Sequence, residues 1–330
     1  MVQKKTSSSG KLIKFLITAV IIFGAGFLVI KNGDIIGDYF VALDYKPSAE
    51  IAAMVSELEL TDEGMRIMKA SLPEVQSAET FNNNCTSSDS DTSVLGCYSQ
   101  RRVYIYEVEN EELNGVQQST LAHELLHAVW ERRKNDDIAA ELLMTYEQHR
   151  SELDEHMSHY DEASKVDELH SVIGTQLHDD DLSEKLQAHY QKYFKNRAKI
   201  VEYYRQYEEK FTRLEQRNAE LKEKIDDMTS DIQVRSTQYE NDAATLNRDI
   251  DVFNSHARNG YYSNNASFTA DRNRLLARQS QLGRDYDDIN VKIDEVNQLI
   301  EEYNANVSHS NELYSSINSK ISAPDEALGQ

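Results

Sequence analysis

The order of apolar and polar positions divides the chain into four stretches. Leu12 to Ile30 is a run of 19 residues whose only charge is Lys14. As a helix it would span about 28 Å, close to the hydrocarbon core of a bilayer. Further on, Ile51, Met54, Val55 and Leu58 recur at helical spacing in a segment opened by Pro47-Ser48-Ala49-Glu50. A second helix, capped by Thr61-Asp62-Glu63-Gly64, carries Met65, Ile67 and Met68 and stops at Leu72-Pro73. Glu79 to Thr92 is polar and reads as a surface loop. Val94-Leu95-Gly96-Cys97-Tyr98 and Arg102 to Val108 are the strand candidates, with Ser99-Gln100-Arg101 as their hairpin turn.

A longer helix is expected from about Glu112 to Arg133, with Val116, Thr120, His123, His127 and Trp130 on one stripe. Asp137 to His159 is so charged that it reads as a solvated helix. Polarity drops again from Val166 to Thr175. From about Val201 the apolar positions form a heptad through Tyr207, Phe211, Leu214, Leu221, Ile225, Met228 and Ile232, slip in phase between Arg235 and Ala243, and resume to Phe253. Ala257 to Asn265 breaks the helix, and a second repeat runs from Gln279 through Leu282, Tyr286, Ile289, Ile293 and Val296 to Ile321. Two such arms joined by a short loop predict an antiparallel coiled-coil hairpin, with Asn218, Arg235, Gln279 and Ser310 as polar or undersized core positions. The bland role is a spacer or self-association device. The sharper one recruits a protein partner, with Tyr261, Tyr262, Asn264 and Asn265 at the tip.

Three prolines and twelve glycines in 330 residues agree with long helices. The net charge is -22, and because residues 1–32 hold five lysines and no acid, the rest carries 30 basic against 57 acidic residues. So acidic a surface repels phosphate backbones, which excludes nucleic acid as a partner. Lysines 4, 5, 11 and 14 precede the apolar run and only Lys31 follows it, an asymmetry that keeps the N-terminus in the cytoplasm. No small-x-small site follows promptly. The expectation is an uncleaved signal anchor at 12–31 in the plasma membrane, with residues 1–11 cytoplasmic and the bulk outside; a cleaved signal peptide is the alternative. In an oxidising compartment, Cys85 and Cys97, the only cysteines, are expected to form a disulfide.

The candidate chemistry lies in His123-Glu124-Leu125-Leu126-His127. On a helix the two imidazoles stand one turn apart and can reach one metal ion, with Glu124 placed to handle a proton. The flanking Thr120, Leu121, Leu125, Leu126, Ala128 and Val129 are uncharged, which suits a buried helix with neutral imidazoles. In this motif and its flanks the sequence resembles the zincin superfamily of metallopeptidases. Trp130 and Arg133 occupy positions that the metzincin branch gives to glycine and histidine, so that branch does not fit. The gluzincin branch takes its third ligand from a glutamate on a later helix.

Glu141, Glu147, Glu152, Glu155 and Glu168 are candidates for that ligand. Glu147 has a suitable spacing but lacks the expected neighbours, whereas Glu168 sits where apolar sequence returns. The stretch Glu168-Leu169-His170-Ser171 with Gly174-Thr175 is similar to that of membrane-anchored, gluzincin-like bacterial proteins, a likeness spanning about residues 45–200. It favours Glu168, with Glu147 as runner-up. The resemblance implies an α+β, mostly helical zincin-like domain at 45–200, followed by the coiled-coil hairpin at 201–322 and a tail at 323–330. It also implies one zinc ion on His123, His127 and Glu168, and Glu124 as general base. A further donor to the oxyanion is needed, for which His170 and Tyr190 are available. The remaining histidines, His149, His156, His159, His178, His189, His256 and His309, read as solvated or structural. The expected activity is peptide-bond hydrolysis on a peptide or protein at the cell envelope. The rival is a non-enzymatic envelope protein with an inactive or structural-metal domain and a partner-binding coiled coil.

Overall fold

The computed structural model describes residues 35–85 and 95–322. The expected anchor at 12–31 and the tail lie outside them, and among the described residues no helix is long and apolar enough to cross a membrane. Two compact units are present. One comprises the chain through Glu209 together with Leu313 onward; the other is Lys210–Glu312.

The first unit is mostly helical with one small sheet. A helix over 35–44 (α1) precedes α2 (Ala49–Glu57) and α3 (Asp62–Ala70). The Ser48 and Thr61 side chains cap the latter two by accepting from Ile51 N and Gly64 N. The strands β1 (Glu74–Gln76), β2 (Gly96–Ser99) and β3 (Arg102–Tyr106) form a sheet of order β1-β3-β2. β1 runs parallel to β3, while β2 and β3 make the expected hairpin in the register Gly96↔Ile105 to Ser99↔Arg102. Its turn is tighter than expected. Gln100 and Arg101 both take positive φ, 51° and 64°, the two-residue arrangement that follows the twist of the strands.

The polar stretch after Pro73 departs from the surface-loop expectation. Ser77 precedes a helix, α4 (Ala78–Asn84), because Phe81 finds cover against Tyr106, with ring centroids 5.8 Å apart. The Cys85–Cys97 disulfide, with Cα atoms 5.9 Å apart, ties the end of α4 to β2.

The core forms where α5 (Val116–Arg133) crosses α8 (Lys165–Gln176). Leu121, Leu125, Leu126 and Val129 of α5 pack with Leu169, Val172 and Ile173 of α8. The helices approach closely at Gly174, where a Cβ would stand 2.4 Å from Leu126 Cδ1. The charged segment expected to be solvated is instead two amphipathic helices, α6 (Asp136–Gln148) and α7 (Arg150–Met157). Ile138, Leu142, Tyr146, Leu153 and Met157 turn inward, so the charges mark only the outer face. α9 (Glu184–Tyr190) closes the core, and Arg197, which opens α10 (Arg197–Arg258), donates to the carbonyls of Ile173 and Gly174 at the end of α8.

The second unit contains most of α10 and of α11 (Asn265–Ile317), while α12 (Ser319–Ser322) belongs to the first. Within it, Arg217 pairs with Glu302, Lys224 with Glu295, Arg235 with Asp288 and Arg278 with Asp249, which fixes an antiparallel hairpin. These exposed pairs set register more than stability. The first seam follows the expected heptad to Ile232 and then shifts. Ser236 turns inward and Arg235 faces solvent, so the stutter begins at Ile232, ahead of the Arg235 to Ala243 stretch in which the slip is expected. In the second arm Gln279 is exposed beside the half-covered Arg278. Tyr286, Ile293 and Ile300 are 53%, 38% and 38% exposed, because two helices alone cannot cover a wide apolar stripe. At the tip Tyr262 packs with Phe253 and Phe268, and Asn264 accepts from Ser267 N.

Candidate metal centre

Every donor of the centre sits on one of two crossing helices. The buried leucines hold α5 so that His123 and His127 share its outward-facing side, with Nε2 atoms 3.2 Å apart. α8 approaches them with its first turn, where Glu168 is 4% exposed. Its Oε1 lies 3.5 Å from His123 Nε2, and its Oε2 lies 3.4 Å from His127 Nε2. These three side chains form a group able to hold a metal ion. The fit can be tested by geometry. Ligand atoms about 2.05 Å from an ion, at tetrahedral angles, are separated by roughly 3.3 Å. The imidazole pair is close to that length, and each histidine meets a different oxygen of Glu168 at a similar distance, so the carboxylate faces the space between the two imidazoles where an ion would sit.

Two neighbours that the sequence reading passed over steady the donors. His127 donates from Nδ1 to Asp167 Oδ1 at 2.9 Å, which leaves Nε2 as the atom turned to the centre. His156, exposed as the sequence suggests, donates from Nε2 to Glu168 Oε1 at 2.7 Å and so also belongs to the site. Asp167 had a sequence signal, an acid directly before the favoured ligand. His156 had none, because its approach depends on how α7 folds back onto α8.

The protonation pattern follows from burial and these contacts. Burial holds the His123 imidazole down at about 4, so it is neutral. For His127 burial opposes the charge, but the hydrogen bonds to Asp167 and Glu168 outweigh it and raise its pKa well above the ordinary value. Burial alone would raise Glu168. The charges of His123 and His127 and the bonds from His127 and His156 instead hold it well below the usual carboxylate range. Glu124 is pushed up to about 7, mainly by burial, with Glu168 and Asp167 adding to the effect and His127 opposing it.

A proton on His127 therefore occupies the place a cation would take. Metal binding at pH 7 should release between one and two protons, from His127 and in part from Glu124, and apparent affinity should rise with pH. Titration calorimetry in buffers of differing ionisation enthalpy would read this release; a heat that does not vary with buffer would contradict it.

Glu124 lies against the sheet. A Cβ placed on Gly96 of β2 would come within 2.9 Å of Glu124 Oε1 and 2.5 Å of Thr120 Cγ2, so only glycine lets the strand pass this close. The other expected residues fall elsewhere. His170 and Tyr190 are fully buried; His170 Nδ1 donates to Leu126 O, its Nε2 meets His189 Nε2 at 2.8 Å, and the Tyr190 hydroxyl donates to His170 O. Both are packing groups, with no face left for a substrate oxygen. Glu147 is on the surface, paired with Arg150, and Glu141 pairs with Lys185. A cavity of about 740 Å³ lined by Glu63, Arg133, Lys185, His189 and Lys192 includes none of the donor triad.

Fold and site together define a helical α+β domain with a His-His-Glu group suited to a cation. Compared with family models, curated proteins and solved structures, the chain matches none.

Proposed function

We propose that this chain is a membrane-anchored, extracytoplasmic zinc metallopeptidase of gluzincin type. The observation that carries the reading is the donor triangle of His123, His127 and Glu168 with Glu124 beside it. Two imidazole nitrogens and one carboxylate suit zinc, and three protein ligands plus one position for water are the pattern of a catalytic site. Bound there, zinc would supply an activated water and polarise a peptide carbonyl.

The chain's own residues supply the rest. Glu124, poised near neutrality by its burial, accepts a proton at its carboxylate and passes it to the leaving amine. Asp167 fixes the His127 tautomer and His156 orients Glu168. β2 pairs with β3 on one side, and an extended substrate can add along its other edge, with Gly96 keeping the path to Glu124 clear.

Gly96→Ala pushes a methyl group into Glu124. It should lower turnover by roughly 10- to 100-fold while zinc content stays at the wild-type level. Retained turnover would contradict the placement of the base against β2. The function itself is tested with the full chain in detergent and an unstructured protein substrate. Hydrolysis that stops on chelation and returns with zinc supports it; a zinc-loaded protein that cleaves no peptide bond overturns it. The hairpin is proposed as a protein-binding or self-association arm, supported by the heptad residues Tyr286, Ile293 and Ile300 left half-exposed on α11.

A further inference from the structure

α1 is amphipathic in the wrong sense for a surface helix. Its covered face carries the charge. Asp38 is buried, accepting from Arg101 Nη2 at 2.8 Å and from Arg132 Nε at 2.8 Å, and just past the end of α1, about two turns on, Tyr45 donates its hydroxyl to Pro73 O. The outward face is apolar apart from Asp44 at its end: Ile36, Tyr39, Phe40 and Leu43 are 38%, 53%, 65% and 66% exposed. A soluble domain has no reason to turn an aspartate inward and a phenylalanine out over the same two turns.

Position along the chain says what covers that face. The apolar run Leu12 to Ile30 ends four residues before Ile35, a separation of at most about 14–18 Å even if fully extended. An outward face so close to the end of a bilayer-length run falls within the headgroup layer, where aromatic and aliphatic side chains are favoured. The Asp38 node also leads to the metal centre. Arg132, 1% exposed at its side chain, is on α5 itself and donates from Nη1 to the Tyr98 hydroxyl of β2 at 2.7 Å. His127 and His123 lie about 8 and 14 Å back along α5 from Arg132.

We propose that α1 lies in the bilayer interface through Ile36, Tyr39, Phe40 and Leu43, and that the Asp38–Arg132–Tyr98 node locks the metal helix and edge strand to it. The substrates are then peptide segments close to the membrane surface. The lipid contact rests on α1 and on the apolar run that precedes it; the substrate class rests on the peptidase reading.

The test uses the full chain in phosphatidylcholine vesicles, in a Trp130→Phe background because Trp130 is the sole tryptophan. Tryptophan is introduced by Phe40→Trp and, separately, by Phe23→Trp in the apolar run. Lipids brominated high on the acyl chain should quench the Phe40→Trp variant by a third or more. A blue-shifted but unquenched signal means that protein covers the face, and a red, unquenched one means that water does; either overturns the proposal. Quenching of Phe23→Trp alone would leave the anchor intact and refute the interfacial helix, whereas quenching of Phe40→Trp alone would support the helix without the anchor. A second comparison keeps Trp130. Phe40→Asp/Leu43→Asp should cleave a free peptide as wild type does, yet cleave the same peptide tethered to the vesicle at least tenfold more slowly. Equal loss on both peptides, or none, overturns the substrate class. If wild type cleaves neither peptide, the peptidase reading and this substrate class fail together, and quenching alone decides the lipid contact.

Discussion

Glu124→Gln should lower peptide hydrolysis by about 10²- to 10⁴-fold, the range that general acid–base catalysis supplies, while zinc remains bound. The reasoning is geometric before it is electrostatic. Glu124 lies on α5 three residues before His127 but points toward β2, where its Oε1 is held under Gly96, and it is not among the three grouped donors. The amide of glutamine keeps the shape and cannot take a proton, so loss of turnover without loss of metal isolates the base. Burial sets the metal-free carboxyl at about 7 and a bound cation beside it would draw that value down, so wild-type activity should rise with pH on the acid side of neutrality as the base ionises. Turnover of Glu124→Gln near the wild-type level, with zinc bound, would remove Glu124 from the chemistry.

The second large effect falls on metal affinity. Zinc held by four protein ligands is worth about 10–16 kcal/mol, so one ligand averages about 3–4 kcal/mol. His123→Ala, His127→Ala and Glu168→Ala should each weaken zinc binding by roughly 10²- to 10³-fold in competition with a chromophoric chelator. Glu168→Ala carries most of the weight, since it alone brings α8 into the site. It also strands His156, which donates to the Glu168 carboxylate. Glu147→Ala, on the surface beside Arg150, should leave affinity unchanged. The reverse pattern between Glu147 and Glu168 would mean that α8 does not supply the ligand.

Local signals in the sequence were legible where one element contains the whole cause. The His123-Glu124-x-x-His127 spacing needs only a helix, and the caps at Ser48 and Thr61, the β2–β3 hairpin and the Cys85–Cys97 disulfide were likewise readable. Glu168 was readable because a carboxylate entering an apolar stretch is expensive unless something pairs with it. What escaped depends on contacts between elements. The helix around Phe81 exists because Tyr106 of β3 covers it, and three-residue β1 exists because β3 offers it an edge. Arg235 and Gln279 fit the heptad arithmetic, but burial in a two-helix hairpin is narrower than the pattern, and the neighbouring Ser236 and Arg278 turned inward instead. His170, two residues beyond Glu168, looked like a catalytic donor; its ring is spent on Leu126 and His189 inside the core.

Zinc-edge X-ray absorption on the zinc-loaded full chain tests the central claim most directly. The account predicts one zinc per chain in four-fold coordination, with two imidazole nitrogens, one carboxylate oxygen and one further light atom at about 2.0–2.2 Å. A single-imidazole shell, six-fold oxygen coordination or no bound zinc would contradict it.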